Sequence, residues 1–355
     1  MPLLSSMVSA TVIIPAYTLG RWELLSDAVA SVEAQSCPPI ELILCIDRNP
    51  ELFDRSVEKW GRQLSAAKFP IKIIANRFEQ DDDGVGAHVK AHGSKRRFGA
   101  GWARNSGAER ALGDILVFLD DDAAADPDWL AYLLKPYDNP RTVAVGGAPM
   151  PTYETGRPSW FPANFDWVFG CAYMGMPKQL APLGHLIGAN MSVRRDVFEK
   201  VGGFHSIDFD DLDLCMRVAT QCPGQDLLYE PRAIVHHFVP AQRVEWRYFW
   251  RRCFFVNREK VDAFAEMGEA ANIRAERQFV RRALTEQIAI DVSDVLRGRW
   301  SGLSRMGAMI VGITMAAAGH AVGRYQLFSR IHRSPISSGA DEMIQRSLRD
   351  KGRHQ

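Results

Sequence analysis

The sequence has 355 residues, of which 46% are hydrophobic and 24% are charged, and its formal net charge is +1. This composition excludes a disordered chain, and the near-neutral charge gives no indication of nucleic-acid binding. The charge is divided, however, because residues 241–355 hold 20 Lys and Arg against 12 Asp and Glu, whereas residues 1–240 hold 23 against 30. We therefore expect an acidic domain over residues 1–240 and a basic region over residues 241–355.

Strand and helix patterns alternate through the first 150 residues. Short apolar runs predict strands at residues 10–15, 40–46, 71–75, 115–119 and 142–145. Helical periodicity predicts helices at residues 22–35, 51–65, 103–112 and 127–134, the third ending with Gly113 as its cap. Repeated β-α-β units with continuously apolar strands indicate an α/β fold, a mostly parallel sheet covered by helices on both faces. Ligands of such sheets gather at the carboxyl ends of the strands.

Two segments lack regular periodicity. Residues 79–100 are long for a loop and contain four glycines, so this segment is predicted to be either a functional lid or a mobile insertion. Residues 145–186 are rich in Pro, Gly and aromatic residues and are expected to run irregularly over the sheet. Their rings could form a ligand-stacking surface or part of the core. Beyond Tyr248 the chain has a helical pattern.

The C-terminal region contains an uncharged stretch, residues 306–323, with arginines on both sides. Three interpretations remain open: a buried Ala/Gly-rich packing helix, a helix lying at a membrane interface, and a true membrane span. The six cysteines form no C-x-x-C pair, which argues against zinc and favours a reducing compartment. Since the N-terminal residues show no signal-peptide pattern, we expect a cytoplasmic protein, with peripheral membrane contact through residues 297–333 at the inner face of the cell membrane.

Aspartates occupy the positions where ligands of such a sheet are expected. Asp47 follows the second strand, Asp120, Asp121 and Asp122 follow the fourth, and Asp210 and Asp211 precede a later helical pattern. Adjacent carboxylates are ionised together only with a cation or hydrogen-bond donors nearby, and Mg²⁺ and Mn²⁺ prefer oxygen ligands. The run at residues 120–122 therefore predicts part of a site for a metal and a diphosphate, whereas Asp126, directly before Pro127, is interpreted as a helix or turn cap.

A set of short motifs occurs in one order between about residue 10 and residue 260. They are Pro15-Ala16-Tyr17, Asp47, Arg104-Asn105, Phe118-Leu119-Asp120-Asp121-Asp122, Gly188-Ala189-Asn190-Met191, Gly202-Gly203-Phe204 and Asp210-Asp211-Leu212-Asp213-Leu214. No single motif is specific, but the ordered set closely resembles the family 2 glycosyltransferases of the GT-A fold.

The resemblance implies an inverting, metal-dependent transfer of a sugar from a nucleotide sugar, by family habit a UDP-sugar, to a hydroxyl acceptor. The implied donor-binding residues are Pro15, Ala16, Tyr17, Asp47, Arg104, Asn105, Asp120, Asp121, Asn190 and Arg243. The cofactor would be Mn²⁺ or Mg²⁺, and the implied metal ligands are Asp122, Asp120 and His236.

Asp211 occupies the position of the family's catalytic base, and Asp210 stands where the family usually has Glu. Inversion needs one carboxylate that takes a proton from the acceptor hydroxyl while its oxygen attacks the anomeric carbon. Asp210 reaches one methylene less far than Glu, so its catalytic role is the weaker implication. For Asp213, capping of the helix is an equal alternative.

The Pro-x-Trp-Phe-Pro motif at residue 158 and the Arg-x-x-x-x-Tyr-Phe-Trp-x-Arg motif at residue 243 resemble the branch that acts on polyprenyl-linked sugars or cell-surface glycans. Such an acceptor agrees with a basic, apolar C-terminal region. The alternatives are glycosylation of a small natural product, a non-catalytic glycan- or membrane-binding relative, and a nucleotidyltransferase. The last would need an early Gly-rich basic loop, where this chain has only Gly20 and Arg21.

Overall fold

The computed structural model describes residues 8–61, 68–76, 98–205, 210–267 and 273–333. The aperiodic segment predicted at residues 79–100 lies outside the described residues up to residue 97. Its interpretation as a lid therefore stays a prediction.

The first half alternates strands and helices, as the periodicity predicts. Its elements are β1 (Ala10–Ala16), α1 (Trp22–Glu33), β2 (Glu41–Ile46), α2 (Pro50–Trp60), β3 (Ile71–Ala75), α3 (Ala100–Ala108) and β4 (Ile115–Leu119). The strands β1, β2 and β4 are buried along their whole length, because helices cover both faces of the sheet. Two separate hydrophobic clusters, one on each face, hold these helices against the sheet.

The second half adds shorter helices and longer strands. Its elements are β5 (Ala123–Ala125), α4 (Trp129–Leu134), β6 (Thr142–Tyr153), β7 (Ala181–Pro182), β8 (Asn190–Arg194), α5 (Arg195–Val201), α6 (Asp210–Gln221) and β9 (Asp226–Val239). The segment between β6 and β7 is irregular apart from a short 3₁₀-helix, Ala163–Phe169. The irregular course predicted for this segment is thus found, but β6 extends eight residues past its predicted end.

In the part of the chain that the structure describes, nine strands form one sheet in the order β3-β2-β1-β4-β8-β6-β9-β5, with β7 paired to β9. The pairs among β3, β2, β1 and β4 are parallel, whereas β8 runs antiparallel to both β4 and β6. The α/β fold class, with helices flanking the sheet and a C-terminal helical region, is confirmed. The sheet is mixed: the half built from β-α-β units is parallel throughout, and in the other half β6 and β9 also pair in parallel.

The expected capping role of Gly113 is wrong. Helix α3 ends at Ala108, and Gly113 lies where a side-chain Cβ would come within 2.5 Å of the Thr11 backbone nitrogen and 2.7 Å of the Ala10 carbonyl carbon. The absence of a side chain at this position therefore lets the chain pass close to β1 before it enters β4.

Three helices follow the sheet: α7 (Trp246–Met267), α8 (Ile273–Leu296) and α9 (Ser301–Arg333). Helices α7 and α9 approach closely, because Gly319 and Gly323 of α9 face the backbone carbonyl oxygens of Phe254 and Arg258 of α7. A third hydrophobic cluster, which we call the aromatic cluster, joins these helices to the irregular segment. Its buried residues are Phe161, Phe165, Val168, Phe169, Cys171, Val239, Phe249, Cys253, Ala308 and Met309.

Helix α9 packs along one side and exposes the other. Residues Ser301–Arg330 are long and apolar enough to cross a membrane, and 28% of the most apolar window is buried. Five of its exposed apolar side chains, which we call the apolar stripe, are Leu303, Ile310, Ile313, Tyr325 and Phe328. Such a helix is not enclosed in a core, which leaves this side of α9 available for another surface.

Candidate active site

A cavity of about 610 Å³ opens at the carboxyl ends of β1, β2 and β4. It is lined by six aspartates and four arginines, which gives a formal charge of −2 with histidine neutral. These residues are Asp47, Asp120, Asp121, Asp122, Asp210, Asp211, Arg21, Arg104, Arg243 and Arg252. Because carboxylates outnumber guanidinium groups in its lining, the cavity favours the binding of additional positive charge.

The ends of β1 and β2 supply one wall. Pro15, Ala16 and Tyr17 line the cavity, and the Tyr17 side chain is exposed. Asp47 is buried with both carboxylate oxygens engaged: Oδ1 accepts a hydrogen bond from Asn76 Nδ2 at 2.7 Å, and Oδ2 accepts one from the Gly99 backbone N–H at 2.7 Å. These bonds hold the Asp47 carboxylate at the edge of the cavity.

The aspartates after β4 are neutralised in part by Arg21. Its Nη1 lies 2.8 Å from Asp121 Oδ1 and 3.0 Å from Asp122 Oδ2. Burial raises the pKa of Asp121 to about 7, although the Arg21 charge opposes the rise. Burial also acts to raise the pKa of Asp122, but the close His237 imidazole and the charge of Arg21 lower it overall. Of these two carboxylates, Asp122 is therefore the one that is held ionised.

His237 reaches this site, whereas His236 does not, and the assignment of His236 as a metal ligand is corrected here. Successive side chains of a strand point to opposite faces. The His237 ring is buried with Nε2 3.2 Å from Asp122 Oδ1, while the His236 side chain is exposed with Nε2 2.9 Å from Asp126 Oδ1. The backbone bond from Phe238 N to Asp122 O, 2.8 Å, fixes β9 in this register.

Asp120, Asp122 and His237 suit a divalent cation. Each offers one ligand atom, and these atoms lie within 4.8 Å of one another. Asp122 Oδ1 is buried, and in the described part of the chain it receives no well-aligned hydrogen bond, although His237 Nε2 lies 3.2 Å away, so a cation bound here would satisfy it. Two carboxylates and one imidazole form a ligand set that Mn²⁺ or Mg²⁺ accepts.

Arg104 connects the two acidic motifs. Its guanidinium is buried, with Nη2 2.6 Å from Asp120 Oδ1 and Nη1 2.8 Å from Asp210 Oδ2. Nη2 also lies 3.3 Å from the Gly188 carbonyl oxygen. The guanidinium borders the cavity but is already bound by two carboxylates, so its direct effect is to set the distance between β4 and the first turn of α6.

Asp210 and Asp211 lie side by side in the cavity but in different environments. Burial raises the pKa of Asp210 to about 6; the Arg104 charge opposes the rise, and the charges of Asp211 and Asp120 add to it. Burial acts in the same direction on Asp211, but the His185 imidazole and two backbone N–H groups hold its pKa well below the usual range. The Gly188 N–H donates to Asp211 Oδ2 at 2.9 Å, and His185 Nε2 lies 3.3 Å from Oδ1.

Two expected donor-binding residues are used for structure instead. The Asn105 amide donates to the Phe204 carbonyl at 2.7 Å and accepts from the Phe204 N–H at 2.8 Å, so it holds the loop after α5. The Asn190 amide donates to the Ala233 carbonyl at 2.9 Å and accepts from Trp129 Nε1 at 2.8 Å. Both amides are buried outside the cavity lining, so neither side chain lies where it could bind the donor.

Three residues of the site were missed by the sequence interpretation. Arg21, which contacts Asp121, lies in a short 3₁₀-helix between β1 and α1, outside the motifs that carry the resemblance. His185 precedes the Gly188 motif by three residues, and only the folded chain shows that it faces Asp211. His237 could have been separated from His236 by strand alternation, had the register of β9 been known.

The model of the family described as "Glycosyl transferase family 2" matches residues 11–202. A glucosyl-dolichyl phosphate glucuronosyltransferase of Haloferax volcanii is 31% identical over 258 residues, which cover 70% of this chain and 75% of that protein. A pre-mycofactocin glycosyltransferase of Mycobacterium tuberculosis is 28% identical over 177 residues, covering 47% of this chain and 36% of that protein. The mannosyltransferase PcManGT of Pyrobaculum calidifontis, solved in complex with GDP-Man and Mn²⁺, is 17% identical with a TM-score of 0.49, covering 92% of this chain and 80% of that chain.

Proposed function

The chain belongs to glycosyl transferase family 2 and is a glycosyltransferase, and from this premise we propose an inverting, metal-dependent transfer from a UDP-sugar to a hydroxyl group of a lipid-linked sugar. One observation carries the proposal. A single cavity brings together Asp47, the cluster of Asp120, Asp122 and His237, and the carboxylate of Asp211. These groups match the three parts of such a substrate pair: a nucleoside, a diphosphate and an acceptor hydroxyl.

The donor lies along the carboxyl edge of the sheet in this proposal. Asp47 and the exposed ring of Tyr17 border the end where the nucleoside would bind. A cation held by Asp120, Asp122 and His237 would neutralise the charge that develops on the leaving diphosphate. Arg243 lines the cavity and its charge acts on Asp122, which supports a role for its guanidinium in binding a phosphate oxygen.

Asp211 is the proposed base. Its low pKa keeps it ionised, and the hydrogen bonds from Gly188 and Leu212 fix the orientation of the carboxylate. As the acceptor oxygen bonds to the anomeric carbon, the bond from that carbon to the diphosphate breaks and the hydroxyl proton passes to Asp211. One displacement inverts the anomeric configuration. Asp210 acts through Arg104, which ties it to Asp120.

The acceptor side of the cavity is formed by the C-terminal helices. Tyr248 and Arg252, one turn apart on α7, line the cavity. Arg252 forms no salt bridge in the described part of the chain, which leaves its guanidinium available for a phosphate of the acceptor. The relative of Haloferax volcanii is named for glucosyl-dolichyl phosphate, a sugar carried by a lipid phosphate. An acceptor of this class carries a phosphate, to which the Arg252 guanidinium could bind in this proposal.

The proposed division into a catalytic domain over residues 1–240 and a basic helical region over residues 241–355 fits a lipid-linked acceptor. The cavity draws on both regions, since α7 supplies Tyr248 and Arg252. The apolar stripe of α9, together with exposed Arg297 and Arg324, would rest on the anionic inner face of the cell membrane. Contact of this kind would bring the cavity to the membrane that holds the acceptor.

The first experiment is calorimetric titration with UDP, GDP and dTDP, each with and without Mn²⁺. We expect UDP to bind tightly with Mn²⁺ and Asp122→Ala to abolish the dependence on metal, because this variant removes a buried ligand. Asp126→Ala is the matched control, since its carboxylate faces His236 outside the cavity. Preferred binding of GDP or dTDP would contradict the UDP assignment, and absence of all nucleotide binding would contradict the function.

A further inference from the structure

The imidazole of His237 is contacted at both nitrogens. Its Nε2 lies 3.2 Å from Asp122 Oδ1, on the side of the cavity, and its Nδ1 lies 3.4 Å from the Sγ of Cys171. Both side chains are buried, with His237 4% exposed and Cys171 0% exposed. The cysteine is therefore the group that meets His237 on the side facing away from the cavity.

A histidine that binds a cation through Nε2 must carry its proton on Nδ1, and the partner of Nδ1 selects this tautomer. The sulfur of Cys171 can accept that Nδ1–H bond as a weak acceptor. Its own S–H is directed to the Phe169 carbonyl oxygen, with the sulfur 3.9 Å from that atom. The chain of donors and acceptors thus runs from the ring through the thiol to the backbone.

The backbone holds the sulfur in place. Gly170 adopts a left-handed conformation with φ 72°, which closes the 3₁₀-helix, and the Cys171 N–H then donates to the Asp166 carbonyl at 3.3 Å. The next residue, Ala172, donates from its N–H to the Pro149 carbonyl of β6 at 2.7 Å. The aromatic cluster surrounds the thiol, so the sulfur has little freedom to move away from His237.

We propose that Cys171 is a positioning residue that holds His237 in the Nδ1–H tautomer, with Nε2 directed to the cation of the active site. The proposal rests on the metal-dependent function proposed above. It assigns a task to the irregular segment between β6 and β7, where sequence patterns left the choice between core and ligand surface open.

The test is the affinity for Mn²⁺ in the presence of UDP, measured by calorimetry on three cysteine variants. We expect Cys171→Ala to weaken Mn²⁺ binding roughly tenfold or more, as loss of a partner to a ligating histidine does. Cys171→Ser, whose hydroxyl can take the same bond, should recover most of the affinity. Cys253→Ala is the matched control, because that thiol is equally buried in the aromatic cluster.

A second measurement reads the tautomer directly. In ¹⁵N-histidine-labelled protein with Mg²⁺ and UDP, the two-bond correlations of His237 should show the proton on Nδ1. An Nε2–H tautomer, or equal Mn²⁺ affinities for Cys171→Ala and Cys253→Ala, would overturn the assignment of Cys171. A wild-type chain that binds no Mn²⁺ would instead overturn the metal-dependent function, so the two failures are distinguishable.

Discussion

At the scale of single residues, Arg104 explains how two motifs far apart in sequence form one site. It bonds Asp120 at the end of β4 and Asp210 at the start of α6, and it is 4% exposed. Because Arg104 is buried between these two carboxylates, its positive charge compensates their negative charges, which neither acidic motif could do by itself. The proposed base, Asp211, is the neighbour of one end of this bridge.

The role of Asp211 predicts a selective loss of rate. Asp211→Asn should lower kcat by about 10²- to 10⁴-fold, because the amide cannot take the acceptor proton, while the affinity for UDP with Mn²⁺ stays close to wild type. Steady-state kinetics and calorimetry on the same preparations measure both. Asp213→Asn is the control: it lies in the same helical turn but pairs with Arg217 at 2.6 Å, outside the cavity lining. A wild-type kcat in Asp211→Asn would mean that another group is the base.

The raised pKa of Asp210, about 6, predicts a pH-dependent stability. Between about pH 4 and pH 6 the folded chain keeps this proton while the unfolded chain releases it, so stability falls as pH rises through this interval. The rise in the pKa of Asp210 corresponds to a destabilisation on the order of 3 kcal/mol at pH 7, the net of burial and the charges of Asp211 and Asp120 against the charge of Arg104. Asp210→Asn should remove this part of the pH dependence.

The check is the free energy of unfolding by urea at pH 4.5 and pH 7, for wild type and Asp210→Asn. Comparing the two proteins cancels the contributions of titrating groups that do not interact with Asp210. Asp54→Asn, which changes an exposed carboxylate on α2, should leave the wild-type difference intact. An unchanged difference in Asp210→Asn as well would show that Asp210 titrates near its ordinary value in the folded chain.

At the scale of elements, α9 presents two different sides. Glycines face α7 on one side, and the apolar stripe is exposed on the other, with Ile310 67% exposed. Glycine allows the backbones of α9 and α7 to approach closely. The larger apolar side chains of the apolar stripe lie on the side of α9 that faces away from α7. A surface helix with this arrangement is suited to a partial entry into a bilayer.

The apolar stripe predicts binding to anionic vesicles. Ile310→Glu combined with Ile313→Glu should weaken binding roughly a hundredfold, since each exposed apolar side chain contributes about 1.5 kcal/mol when it leaves water. Flotation with vesicles that contain an anionic phospholipid measures the bound fraction. Val57→Glu, a comparable change at an exposed position of α2, should bind as wild type does. Equal binding of the double variant would contradict membrane contact through α9.

At the scale of the whole molecule, the sequence predicts the fold better than the site. Strand β4 is buried on both faces and forms a continuous apolar run, so residues 115–119 were predicted with their observed bounds. Residues 71–75 also match their prediction, although β3 is only partly buried and Lys72 interrupts its apolar run. The positions of Asp47 and Asp120 at the edge of the sheet could also be predicted, because each residue directly follows a predicted strand. The apolar pattern of β9, which runs from Asp226 to Val239, is interrupted by Glu230, Pro231 and Arg232, so the length of this strand does not follow from the sequence.

The individual side chains could be predicted less well, since their partners are distant in sequence. Asn105 carries the same amide whether it binds a ligand or the loop at Phe204, and composition does not distinguish the two. Choosing His237 over His236 required the register of β9, which a shift in the pairing of β6 between Gly146 and Ala148 alters. Such contacts are decided by packing across the sheet rather than by local pattern.

The aromatic cluster has a consequence for engineered chimeras. It combines Phe161 and Cys171 from the segment beside the cavity with Phe249 and Met309 from the C-terminal helices. A hybrid enzyme joined near residue 240 would pair halves of this cluster that did not evolve together, and the mismatch would reach His237 through Cys171. Transplanting acceptor preference between homologues therefore calls for exchanging residues 154–180 along with the helices, as one unit of recombination.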